Sequence, residues 1–169
     1  MSLPLKIKSG TSFKDKRGFL WTTWKKDYFN KIDFNHDKFS ISKKNTIRGL
    51  HCDFKSWKLV TCVYGRIFLA VVDMRRNSKN YLKSKTVMFN HTKPKFVLIP
   101  PYYANAHLCL SKECVFHYKW FYKGKYIEAK NQYSYRWNDP KINIKWPIKK
   151  PILSKKDKIN LTLKQFLRK

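Results

Sequence analysis

The chain has 169 residues, 38 of them Lys or Arg against 10 Asp or Glu, for a formal net charge of +28, and 17% of its residues are aromatic. That length suits a single domain spanning 1–169 with a sizeable core, and no apolar run approaches the roughly 20 residues of a membrane-spanning helix. The opening MSLPLKIKSG lacks the apolar core of a secretory signal, so the expected location is cytoplasmic, with no membrane partner.

In chain order, the strand-like segments are short: FLWTTW, KLVTCVYG, RIFLAVVDM, KTVMF, KFVLIP, AHLCL and ECVFHYKWFY. Turn chemistry bounds them at KDKRG, RRNSKN, NHTKPK, IPPYY and YKGKY. This pattern suits an all-β sandwich or barrel better than an alternating α/β protein. Two helices are expected, a short one at 25–30 and a C-terminal one after Ser154 or within 161–168. RIFLAVVDM is apolar at nearly every position, as in a strand buried on both faces of a double-sheet jelly roll, which leaves room for a pocket between the sheets. Polar residues interrupting strand-like runs, namely Arg48, His51, Lys58 and Tyr118, are the candidates to line it.

Cys52, Cys62, Cys109 and Cys114 lie in apolar stretches without a C-x-x-C pair and read as buried free thiols. Lysine is spread over nearly every loop, with no long basic block, zinc-finger spacing or aromatic-glycine RNA-binding signature. The charge therefore reads as a solvated lysine surface, part of it available to an anionic ligand, and nucleic acid is not the expected partner. A basic β-barrel that stacks bases on the aromatics of HYKWFYKGKY is the alternative from another class. A metal-binding jelly roll is the rival within the fold, but it needs an H-x-H pair where this chain has H-C-D at 51–53, and His51, His107 and His117 fall on different strands.

Taken singly, His51 passes for a structural histidine, Tyr118 for core, Asp157 for a surface or helix N-terminal carboxylate, and Arg17 and Lys58 for solvated charge. Their order is more telling. F-x-D-x-R-G-F (13–19), I-R-G-L-H (47–51), K-L-V (58–60), V-D-M-R-R-N-S (72–78), IPPYYANAH, Tyr118-Lys119, W-N-D-P (137–140), I-K-W-P and L-S-K-K-D (153–157) follow one another along the chain. In that order and spacing they resemble the nucleotide-sugar 3,5-epimerases typified by dTDP-4-dehydrorhamnose 3,5-epimerase, over residues 13–157.

The resemblance implies a cupin-type double-stranded β-helix (jelly roll) with a few short peripheral helices, a homodimer, no metal and no other cofactor, and a nucleotide-diphosphate sugar as substrate. It implies His51 as the base, Asp157 as the partner that fixes its tautomer, and Tyr118 as the acid on the opposite face. It also implies Arg48 and Lys58 near the keto oxygen and sugar, and Arg17 on the diphosphate, reaching the partner's pocket. His36 and Asn105 complete the expected substrate contacts. Both are departures: His36 stands where members usually have the glutamine of Q-D-N-x-S, and Asn105 where most have a histidine, with His107 two residues on. Leu69 replaces a frequent aspartate. The NAHLCLS and YKGKY segments look closer to a branch acting on GDP-linked 4-keto heptoses.

Overall fold

In the strand Arg66–Asp73 (β7), Ile67, Leu69 and Val71 point to one side and Ala70 and Val72 to the other, and all five are buried. A strand without a solvent face needs a covering layer on each side, and the computed structural model supplies both. It describes residues 3–29, 31–122, 124 and 132–166, with the side chains of 165 and 166 left aside.

Two five-stranded antiparallel sheets face each other. The first runs in the order β1 (Lys6–Ser9), β9 (Lys95–Ile99), β6 (Ser56–Tyr64), β11 (Glu113–Tyr122), β4 (His36–Lys43). The second runs β12 (Tyr133–Ser134), β5 (Ile47–Cys52), β10 (Tyr103–Cys109), β7, β8 (Ser84–Asn90). A separate hairpin pairs β2 (Ser12–Asp15) with β3 (Gly18–Trp21). This is the expected all-β jelly roll.

The core between the sheets is built from Val60 and Cys62, Ile67, Leu69 and Val71, Phe89, Val97 and Ile99, and Phe116. Behind the second sheet, Ala70, Val72, Ala104, Ala106 and Leu108 pack against Tyr135, Ile142, Ile144 and Leu163 of the C-terminal segment. Behind the first, Leu59, Phe96 and Leu98 pack against Phe29, Trp21, Trp24 and Phe34. All four cysteines are buried and free.

Helical structure is slight, as expected. A 3-10 turn at Lys26–Tyr28 falls in the first predicted helix, of which Asn30 lies outside the described residues. The C-terminal prediction resolves into two single turns, α1 (Lys155–Lys158) and α2 (Leu163–Phe166), with residues 167 and 168 outside the described set. The FLWTTW segment is strand only as far as Trp21. Strands β1, β2, β4 and β12 carry no sequence signal because each has at most one buried position. Among the described residues no helix is long and apolar enough to cross a membrane.

Candidate active site

The cavity between the sheets follows from a break in β5. Arg48 and His51 are three residues apart, so in a regular strand they would face opposite ways. The pairing of β5 with β10 runs Asn105 to His51 but His107 to Arg48, which gives β5 one extra residue, and both side chains line the same cavity. Gly49 makes this local geometry feasible. Its φ of +127° belongs to glycine, and a Cβ there would come within 2.4 Å of the Ala106 Cβ. The R-G-L-H string is thus a backbone device as much as a set of side chains.

The carboxylate comes from the far end of the chain. Ile47 N–H donates to the Ile152 carbonyl and Ile152 N–H to that of Asn45, which ties the C-terminal segment along the start of β5. The next residues turn into α1, capped by Ser154, whose Oγ accepts from the Asp157 amide at 3.0 Å and donates to Asp157 Oδ2 at 2.9 Å. Asp157 Oδ1 then accepts from His51 Nε2 at 2.9 Å, across 106 residues of sequence. Burial would push the Asp157 carboxyl up, but the hydrogen bond and charge of His51, with Ser154 and the Gly49 amide, outweigh it and hold the group below the usual carboxylate range. With Nε2 donating to an ionised Asp157, the lone pair of a neutral His51 sits on Nδ1.

Tyr118 stands on β11, in the opposite sheet, and lines the same cavity of about 780 Å³. Burial pushes its phenol up to about 12, against the opposing influence of Ser40 and the Arg48 charge, so it remains a proton donor at neutral pH. Lys58, 3% exposed, pairs with buried Asp53 at 2.9 Å and lies 4.7 Å from the centre of the Trp120 ring. Burial would raise the Asp53 carboxyl, yet the Lys58 charge and the Ser56 hydrogen bonds keep it low. Arg48 is steered by Ser42 Oγ at 2.9 Å and the Ile41 carbonyl at 3.0 Å. Lys38, Lys43 and Lys156 complete a cationic rim.

Six of the eight residues singled out in the sequence therefore line one cavity: Arg48, His51, Lys58, Asn105, Tyr118 and Asp157. The other two lie elsewhere. His36 shares the inward face of β4 with Lys38 and Ser40, but it is exposed, bonded to Asn35 and outside the cavity lining. Arg17, at the tip of the projecting β2–β3 hairpin, has 85% of its side chain exposed and is paired with Asp15. His51, His107 and His117 do not converge: His117 faces the outer side of β11 and contacts Asp37, and no group of three or more potential ligands is placed to hold a metal among the described residues.

Sequence reasoning missed Ser154, Lys38 and Asp53. The S-x-x-D spacing of a helix cap before Asp157 was a readable signal for the first. Nothing local marked Lys38, whose role follows from sharing the face of Ser40 and Ser42.

The two facing sheets form a cupin-type jelly roll, whose inter-sheet cavity holds a carboxylate-bound histidine on one wall and a half-buried phenol on the other. The profile of the dTDP-4-dehydrorhamnose 3,5-epimerase family matches residues 5–165, and the chain belongs to that family. It is 33% identical over 165 residues to the dTDP-4-dehydrorhamnose 3,5-epimerase of Escherichia coli, covering 92% of this chain and 88% of that one. It is also 33% identical to the Shigella flexneri enzyme of the same name over 153 residues, 86% of this chain and 83% of that one. Among solved structures, the dTDP-6-deoxy-D-glucose-3,5-epimerase of Legionella pneumophila in complex with dTDP-4-keto-L-rhamnose is similar with a TM-score of 0.86 at 28% identity, covering 95% of this chain and 88% of that one. The protein is thus a carbohydrate isomerase of the nucleotide-sugar epimerase class.

Proposed function

We propose that the protein inverts carbon 3, carbon 5 or both of a dTDP-linked 4-keto-6-deoxyhexose. The observation that carries this reading is the placement of the His51–Asp157 pair and Tyr118 on opposite walls of one cavity. Protons on carbons 3 and 5 lie alpha to the 4-keto group, so a base can remove one if the enolate is stabilised. His51 is the base and Asp157 holds its tautomer and balances the imidazolium. Arg48 and Lys58 supply positive charge at the developing enolate oxygen, where a water-poor cavity strengthens the attraction. Inversion follows when Tyr118 delivers a proton to the face opposite His51. The cationic rim suits the diphosphate.

The relatives reported above are named for dTDP-linked sugars, and they give the GDP-linked heptose branch no support. Asn105 alone keeps that substrate as a second reading: its buried Oδ1 has no partner among the described residues, at the cavity wall where most members carry a histidine. Incubation with dTDP-linked 4-keto-6-deoxyhexose and, separately, a GDP-linked 4-keto heptose in deuterated water separates the two. Deuterium at carbon 3 or 5 of the dTDP sugar is the expected result; exchange confined to the GDP sugar would reject the nucleotide assigned.

We further propose a homodimer in which Arg17 of each chain serves its partner's site. Phe13 and Leu20 on the hairpin are 68% and 74% exposed, and Phe39 and Ile41 on the outer face of β4 are 61% and 66% exposed. Exposed apolar side chains of this size on a projecting arm and an edge strand suit a second copy of the chain.

A further inference from the structure

Strand β10 is buried at all seven positions. Ala104, Ala106 and Leu108 pack outward, and the alternate set, which includes Asn105 and His107, faces the space between the sheets. His107 has no exposed surface, its ring lies 4.3 Å from that of Phe116, and its Nδ1 is 3.4 Å from the Tyr118 hydroxyl oxygen. Its Nε2 is buried with no partner among the described residues.

Burial, with the nearby charges of Arg48 and His51, pulls the His107 pKa down to about 3, so the ring is neutral and carries one N–H. A proton on Nε2 would bury a donor with nothing to bond. A proton on Nδ1 leaves only an unused lone pair at Nε2, and native proteins tolerate unused buried acceptors better than orphaned donors. We propose that His107 carries its proton on Nδ1 and donates it to the Tyr118 oxygen, directing the phenol's own hydrogen into the cavity and holding the tyrosinate that forms when that hydrogen leaves.

This deepens the assignment of Tyr118 as the acid and rests on it. In the step itself, the Tyr118 O–H bond breaks, a C–H bond forms on the face opposite His51, and the electron pair stays on the phenolate oxygen. His107 gains and loses no proton, so it is a positioning residue. Tyr118 regains a proton from solvent and His51 returns its own there. The 3.4 Å separation is long for a resting hydrogen bond, and such contacts tighten as charge develops. Removing one preorganised donor from a developing oxyanion costs about 10²- to 10³-fold. Ser40 from β4 and Arg48 from β5 also ease the phenolate, while Cys114 on β11 opposes it, so the loss here is expected at about tenfold or somewhat more.

Nitrogen-15 NMR of the histidine-labelled protein, with the His107 ring assigned through its contact with Phe116, reads the tautomer without substrate. A protonated Nδ1 is expected; a protonated Nε2 overturns the proposal. Two variants then test its use with the dTDP-linked 4-keto-6-deoxyhexose. His107→Phe keeps the ring packing without a donor, and His107→Asn places an amide nitrogen near the Nδ1 position. Inversion should fall about tenfold or more in the Phe variant, with deuterium exchange within about twofold of wild type, and the Asn variant should recover most of it. Undiminished inversion in the Phe variant, or an equal fall of exchange and inversion in both, would contradict the donor role. If neither variant folds, the NMR result decides. A wild type that catalyses no exchange rejects the epimerase reading instead and leaves the tautomer result standing.

Discussion

Asp157 and Tyr118 have shifts of opposite sign, and the two predict different limbs of a pH profile. The Asp157 carboxyl is held below its ordinary value, so its pairing with His51 contributes stability that is fully present above the unfolded carboxyl value of about 3.9 and is lost as pH falls through the lower folded value. Asp157→Asn should make the acid limb shallower, Asp37, Asp53 and Asp73 supplying the rest, read as the urea midpoint between about pH 5 and 2. The Tyr118 phenol is raised to about 12, so between its ordinary value and that point the folded state keeps a proton the unfolded state has lost, and stability declines as pH rises. Tyr118→Phe should reduce this alkaline slope, which the raised Tyr103, Tyr135, Cys52, Cys62 and Cys114 groups share. Lys58 gives a third residue-scale test. Lys58→Met leaves Asp53 buried without its ammonium partner and should cost about 3–5 kcal/mol, seen as a lowered midpoint, whereas an exposed pair such as Arg17–Asp15 should cost little when broken.

At the scale of elements, the site depends on two short pieces of backbone, the break of β5 at Gly49 and the turn α1. Ser154→Ala removes the cap of a four-residue helix and one hydrogen bond to Asp157. The expected loss is about 1 kcal/mol in stability, with a fall in kcat larger than any change in KM because the carboxylate under His51 is less firmly held. RIFLAVVDM announced a doubly covered strand because Ile67 through Val72 form an unbroken apolar run, and that implied the two sheets. The ordered motifs brought six of the eight singled-out residues to one cavity. β4 went unnoticed because its inward face is polar, with His36, Lys38, Ser40 and Ser42 alternating against the exposed Phe39 and Ile41. The strand break at Gly49 was also hidden, since spacing alone sends Arg48 and His51 to opposite faces, and only the register of β5 against β10 reveals that they converge.

At the scale of the whole molecule, a net charge of +28 should speed the encounter with a dianionic diphosphate, so kcat/KM should fall as ionic strength rises while kcat changes less. The central claim is narrower: one wall of the cavity removes the proton and the other returns it. Tyr118→Phe assayed in deuterated water tests that division most directly, with inversion and solvent exchange followed in the same sample and nucleotide binding checked alongside. The expected result is loss of inversion with exchange retained, because His51 still forms the enolate and returns a solvent-derived proton to the original face. Undiminished inversion in this variant would contradict the account.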